Sequence, residues 1–297
     1  MSEKHRTRPR SSYNNVQSYD DELALVLELL EGAKSYENDL LDVFEEACEK
    51  LIKLYKDEFP FYFKNGADQK KLNELYMSLI TGPDGFETKI SKALDEIERQ
   101  TRELEVERLT AWLILDYVMT ERATAKSLKE MQIPDQVVTL SLNRTQKKEL
   151  IEKPWCPDKK TYLDRVREAT SKMDKDLRLV IYQGIRRGWS IERMTQVFRN
   201  ITGTAAYKAA RLIRTETMAV YSKVTKEMYL ENGIEYIEII GDAACGGICT
   251  DYVGEVIPLR EAELGDDLPP YHPNCACSFC SYTDFTEEEE KELDSEE

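Results

Sequence analysis

Several features that mark common protein classes are missing from this chain of 297 residues. No apolar run is long enough to span a bilayer, because the longest, LTAWLILDYVM at 109–119, is short and contains Asp116. The first residues, MSEKHRTRPRSSYNN, lack the apolar core of a secretory signal. We therefore expect a protein without a membrane partner that starts in the cytosol, where thiols stay reduced.

The signatures of common enzymes are also absent. The chain contains no H-E-x-x-H zinc-protease motif, no G-x-S-x-G nucleophile turn and no phosphate-binding glycine loop. It has only two histidines, and because His5 lies near the start, only His272 could act as an imidazole base in a folded region. The sequence therefore offers little support for an enzyme.

Basic residues are fewer than acidic residues in this chain. Lys and Arg number 41 against 57 Asp and Glu, which gives a formal charge of 41 − 57 = −16. Residues 284–297, DFTEEEEKELDSEE, hold nine acidic residues and one lysine, so we predict a disordered acidic tail there. Residues 1–18 predict a basic disordered arm, because the first ten positions contain Lys4, Arg6, Arg8 and Arg10. Both ends could serve solubility, or the arm could dock on an acidic protein surface or nucleic acid.

Apolar residues at three- and four-residue steps predict helices over most of the chain. In the N-terminal part they predict a long-helix domain at 19–131, and the three prolines in 132–160 predict a linker. In the C-terminal part we predict one helix ending at Gly188, a second ending at Gly203 and a third starting at Thr204.

A small β unit is predicted after these helices. The alternating segment 234–241 reads as a strand, and 255–259 and 275–279 are weaker strand candidates. The predicted fold class is therefore mainly α with a small β unit (α+β). Long N-terminal helices come first, and a helical layer with a small zinc-ribbon-like C-terminal unit follows at 161–283.

Cysteine and histidine are concentrated in the predicted β unit. Two close groups, separated by a loop, offer the side chains that tetrahedral zinc prefers. The candidate metal ligands are Cys245, Cys249, His272, Cys275 and Cys277, with Cys280 the weakest further candidate. A structural zinc ion would also help a unit with few large apolar residues to fold. Reduced thiols without metal, or disulfides, are the alternatives.

Four sequence blocks occur in a specific order. They are GIRRGWS at 184–190, AARLIRTET at 209–217, NGIEYIEIIGDAACGGICTDYVGEVI at 232–257 and PPYHPNCACSF at 269–279. Their order and spacing resemble the phage head morphogenesis family, the Mu F-like minor head (minor capsid) proteins of tailed bacteriophages. The resemblance covers roughly residues 162–280.

The resemblance implies a non-enzymatic minor head protein. Its main partner would be the portal protein, and the scaffold, the major capsid protein and packaged DNA would be further contacts. It would act in head assembly and in DNA packaging or ejection. The expected location is the virion, in the capsid interior or at the portal vertex, after assembly in the host cytoplasm.

The resemblance also bears on single residues. Within the R-T-E block, Arg214 and Glu216 are expected to clamp the β unit to the helices, and a solvent-exposed helix pair is the alternative. Two other functions compete with the head protein. One is a zinc-dependent enzyme or nuclease-like effector related to the same family. The other is a nucleic-acid-binding zinc module, which is disfavoured because Arg260 is the only Lys or Arg between 241 and 282.

Overall fold

The fold is mostly helical with one small sheet. A computed structural model describes residues 13–63, 68–81, 88–131, 136–241 and 248–282. The helices are α1 (Tyr13–Phe63), α2 (Gln69–Thr81), α3 (Lys89–Glu130), α4 (Arg144–Glu152), α5 (Tyr162–Arg187) and α6 (Ile191–Glu231). The strands are β1 (Tyr236–Ile240), β2 (Val256–Pro258) and β3 (Ser278–Tyr282), with a short 3-10 helix at Ile248–Asp251. The predicted class, mainly α with a small β unit, is confirmed.

The long N-terminal helices bury the apolar stripes that predict them. In α1 the buried residues include Leu29, Leu40 and Leu51, and in α3 they include Ile90 and Leu94. Helix α1 begins at Tyr13, so residues 13–18, predicted as part of a disordered arm, are helical. Residues 1–12 and the acidic segment 284–297 lie outside the described residues. None of the described helices has the length and apolar character needed to cross a membrane.

The chain divides into two compact units. The first unit comprises Met1–Ala33, Trp112–Lys159 and Arg214–Glu297, and the second comprises Lys34–Ala111 and Lys160–Ile213. Helices α1, α3 and α6 therefore each contribute residues to both units. The predicted division into an N-terminal domain, a linker, a C-terminal domain and two tails stays a prediction.

Helix α5 ends at Gly188 as predicted, and a capping box that was not predicted forms its start. The Thr161 hydroxyl accepts a hydrogen bond from the Asp164 N–H, and the Asp164 carboxylate accepts one from the Thr161 N–H. Gly188 closes the helix in the left-handed conformation at φ 63°. Within the second unit, Arg178 donates to Asp174 on α5 at 2.7 Å and to Asp95 on α3 at 2.5 Å. This bridge holds α5 against α3.

Helix α6 corrects the prediction of two helices in this region. It continues without a break through Gly203, where one helix was predicted to end, and through Thr204, where another was predicted to start. The hydroxyls of Thr202 and Thr204 donate back to Phe198 O and Asn200 O within the helix, so they do not cap a new one. A single glycine weakens a helix but does not end it.

Helix α4 lies inside the segment predicted as a linker, and the sequence pattern missed it. Asn143 and Gln146 form a capping box at its start. Its last turn is held by Lys223 of α6, whose Nζ donates to Leu150 O at 3.2 Å, Ile151 O at 3.1 Å and Lys153 O at 2.7 Å. Burial lowers the pKa of Lys223 to about 8.

Replacing Lys223 with methionine should destabilise the first unit. Methionine has a similar length but cannot donate, so the α4 carbonyls lose their partner, at a cost of about 2 kcal/mol. Chemical denaturation at pH 7 measures the loss. Lys53→Met changes an exposed lysine of α1 and should leave the unfolding midpoint unchanged. Equal midpoints for both variants would contradict the capping role of Lys223.

The sheet has the order β2-β1-β3, and both pairings are antiparallel. Strand β3 begins at Ser278, so Cys275 and Cys277, placed in a weak strand candidate from sequence, precede the strand. A turn at 272–275 comes before the strand, with the Cys275 N–H donating to His272 O at 3.0 Å. Strand β3 is buried along its length and packs on α6, where Tyr221 donates to Phe279 O.

Candidate metal centre

Three of the predicted ligand side chains meet beside the sheet. Cys249 Sγ lies 3.0 Å from His272 Nε2 and 3.7 Å from Cys275 Sγ. All three donor atoms lie within 4.8 Å of one another. The two cysteines are buried and His272 is half-buried. The fold therefore joins two groups of residues that are separated by more than twenty positions in sequence.

The short 3-10 helix Ile248–Asp251 positions Cys249. Its carbonyl accepts hydrogen bonds from the N–H groups of Tyr252 and Val253. Gly254 then turns the chain toward β2 at φ 82°, where a side chain would be strained. The Gly254 N–H donates to Ile239 O of β1 at 2.8 Å, which ties this helix to the central strand.

A tight turn positions His272 and Cys275. Asn274 adopts φ 62°, a left-handed conformation that asparagine tolerates better than most residues. Two residues of α6 hold this turn. Arg214 Nε donates to Asn274 Oδ1 at 3.0 Å, and the Asn274 N–H donates to Thr215 Oγ1 at 3.1 Å. The R-T of the R-T-E block therefore contacts the residue next to Cys275.

The His272 ring is oriented by its own neighbour. Its Nδ1 lies 2.9 Å from Pro273 O. Because a carbonyl oxygen can only accept, Nδ1 carries the proton, and the Nε2 lone pair faces the Cys249 sulfur. A hydrogen bond of this kind from the second ring nitrogen to a carbonyl is usual for metal-binding histidines.

Cys277 belongs to the same buried group. It forms an apolar cluster with Cys249 and Cys275, and Val253 and Tyr271 pack against it. The Cys277 thiol donates to Cys275 and thereby lowers the pKa of Cys275, while the same interaction and burial raise the pKa of Cys277.

Two features around the cluster were not predicted from sequence. A side chain on Gly241 would place its Cβ 2.8 Å from Cys277 Sγ, so only glycine fits at the end of β1. The rings of Tyr252 and Tyr271 stack with centroids 4.4 Å apart, and Tyr271 packs against the cluster. Both roles depend on contacts that exist only in the folded structure, so the sequence alone gave no sign of either.

The donor set fits a tetrahedral soft metal ion. Thiolate and imidazole are the ligands that zinc prefers, whereas calcium and magnesium take oxygen. The 3.7 Å between the Cys249 and Cys275 sulfurs is close to the roughly 3.8 Å edge of a tetrahedron with zinc–sulfur bonds of about 2.3 Å. Cys277 belongs to the same buried cluster but not to the group of three donor atoms within 4.8 Å of one another, and Cys245 lies outside the described residues. Cys280 lies on β3, opposite Glu238 of β1.

Glu216 makes a different contact from Arg214. Its carboxylate is buried and accepts a hydrogen bond from Trp155 Nε1 at 3.1 Å. Trp155 in turn lies against Gly265, where an added Cβ would come within 3.1 Å of the Trp155 carbonyl. Glu216 thus contacts the segment before α5, and through Trp155 it supports the long loop of the β unit.

Residues 175–280 match the family model described as Phage Mu protein F like protein. This match confirms the resemblance carried by the four sequence blocks. The matched residues contain β1, β2, the start of β3, the cysteine cluster, Arg214 and Glu216. The family suggests a phage head morphogenesis protein with a place in the virion. No curated protein and no solved structure matches the chain.

Proposed function

We propose, from the place of residues 175–280 in the Mu F-like family, that the chain is a non-enzymatic minor head protein of a tailed phage. It associates with the portal protein and acts in head assembly and in DNA packaging or ejection. Scaffold, major capsid protein and packaged DNA are further contacts. The family match is the observation that carries this proposal.

The cluster of Cys249, His272 and Cys275 is proposed to bind a structural zinc ion in a zinc-ribbon-like unit, with Cys277 or Cys245 as the fourth ligand. The convergence of soft donors and the fixed imidazole support this role. The bound ion would join the 3-10 helix to the turn before β3. Such a link would stabilise a sheet in which one strand has only three residues.

A structural role is favoured over a catalytic one by the covering of the cluster. Structural zinc sites use four protein ligands, whereas catalytic sites keep one position open for water or substrate. Here Cys249, Cys275 and Cys277 are buried, and Tyr271, which stacks on Tyr252, packs against them. X-ray absorption spectroscopy of the zinc-loaded protein should show only sulfur and nitrogen ligands. An oxygen ligand would favour the alternative, a zinc-dependent enzyme.

The R-T-E block is proposed to clamp the β unit to α6. Glu216→Ala removes the buried acceptor of Trp155 and should lower the free energy of unfolding by about 2 kcal/mol. Glu227→Ala changes an exposed glutamate on the same helix and serves as the control. Thermal unfolding of both variants tests the clamp. Unchanged unfolding of Glu216→Ala relative to the control would show that the block is not a clamp.

Association with the portal is tested by co-expression. The chain and the portal protein of the same phage are produced together, and the chain carries the affinity tag. We expect the portal protein to co-purify and a tail protein of the same phage, used as a control, to be absent. Purification of the chain without the portal protein would contradict the proposed association.

A further inference from the structure

A groove in the second unit has no role in the metal centre. It lies between α1 and α6 and has a volume of about 420 Å³. Leu41, Phe44 and Ile52 of α1 and Ala206 of α6 give it an apolar lining. Leu41 is part of this lining and is still 41% exposed, which shows that the groove is open to solvent. An open apolar groove between two helices is a common place for a third helix to dock.

One residue that lines the groove is Gly203, an exposed glycine of α6 that no close contact in the described structure explains. A Cβ added to Gly203 would meet nothing within 4 Å. By contrast, a Cβ on Gly184 of α5 would meet Met194 Sδ at 2.5 Å, so that glycine is explained by close packing. Glycine weakens a helix relative to alanine. The space above Gly203 is therefore available to a side chain from outside the described chain.

Charged residues stand on both sides of the groove. Glu45 and Glu49 lie one turn apart on α1, and Arg199 lies on α6. All three are exposed, and none forms an ion pair within the described ranges. The groove thus has a negative side and a positive side, which an incoming segment with the opposite pattern would complement.

We infer that this groove binds an amphipathic helix of another phage-head protein, an inference that rests on the proposed function. Large apolar side chains of that helix fill the space above Gly203 and cover Leu41. Lysine or arginine on the flank facing α1 pairs with Glu45 and Glu49. A carboxylate on the opposite flank pairs with Arg199.

Filling the groove tests the inference. Gly203→Leu occupies the space, and Thr204→Leu adds the same side chain at the neighbouring exposed position, which does not line the groove. The probes are the purified portal protein and major capsid protein of the same phage, and biolayer interferometry measures their affinity for the full chain. We expect one of them to bind the wild type, and Gly203→Leu to weaken that binding by about tenfold or more. Thr204→Leu should bind as the wild type does.

A milder variant guards against misfolding. Gly203→Ala adds one methyl group to open space and should raise the melting temperature by about 2 °C, because alanine favours the helix. It should still weaken binding severalfold.

Reversing charges beside the groove tests the inference without changing its volume. The double variant Glu45→Lys with Glu49→Lys should weaken binding. The control Glu31→Lys with Asp42→Lys changes residues of the same helix outside the groove and should not.

The outcomes separate the two proposals. If a head protein binds the wild type and Gly203→Leu equally, the groove is not the docking surface, and the head-protein role stands. If neither probe binds the wild type, both proposals fail. A wild-type dimer that Gly203→Leu dissociates would identify a second copy as the occupant and overturn the inference.

Discussion

Replacing Cys249 with serine should remove the bound metal and lower the free energy of unfolding of the first unit by at least about 3 kcal/mol. Cys249 contacts both His272 and Cys275, so it is the ligand that links the 3-10 helix to the turn before β3. Serine keeps the volume but is a poor zinc ligand. The helices of the second unit should stay folded, so most of the helical circular dichroism signal should remain.

The control for this variant is Cys156→Ser, a half-buried cysteine outside the cluster. Elemental analysis should find about one zinc per chain in the wild type and the control, and none in Cys249→Ser. A chelator should lower the melting temperature of the wild type to that of Cys249→Ser. If Cys249→Ser retains zinc, or if its melting temperature equals that of Cys156→Ser, the proposed ligand set is wrong.

The second large effect is expected at Glu105, a carboxylate buried in α3. Its side chain is 1% exposed, and its Oε2 has no hydrogen-bond partner among the described residues. Burial raises its pKa from 4.5 to about 8. The folded state therefore holds a proton that the unfolded chain releases, so Glu105 supports stability fully below pH 4.5 and loses this effect as pH rises to about 8.

Glu105→Gln should remove this dependence. A pKa difference of this size corresponds to about 3 kcal/mol between pH 4.5 and pH 7. The free energy of unfolding of the wild type should fall by that amount relative to Glu105→Gln. The two plots of stability against pH should therefore separate as pH rises. Glu107 is an exposed glutamate two residues further along α3, and Glu107→Gln should show the same pH dependence of stability as the wild type. Parallel curves for all three proteins would show that Glu105 is ionised in the folded state.

The long helices could be predicted because their apolar stripes are regular and long. The end of α5 at Gly188 could be predicted because glycine readily adopts the left-handed conformation that closes a helix. Helix α4 could not, because its nine residues bury only Ile151 and its last turn depends on the distant Lys223. The continuity of α6 through Gly203 depends on helix packing over its whole length, which a local stop signal does not report.

The candidate site could be predicted in part. Close spacing and side-chain chemistry placed Cys249, His272 and Cys275 in one group, and the structure brings their donor atoms together. The start of β3 was placed too early, because the turn at Asn274 is held by hydrogen bonds from α6. That contact joins residues sixty positions apart, and no local pattern encodes it. The same holds for Gly241, whose close approach to Cys277 exists only in the folded sheet.

The central claim is that this chain is a minor component of a phage head. The most direct test is quantitative mass spectrometry of purified virions and procapsids of the phage that encodes it. We predict that the chain is present in both or in procapsids alone, at a few copies for each portal ring and far fewer copies than the major capsid protein. Its absence from virions and procapsids, in preparations where the portal protein is detected, would contradict the claim.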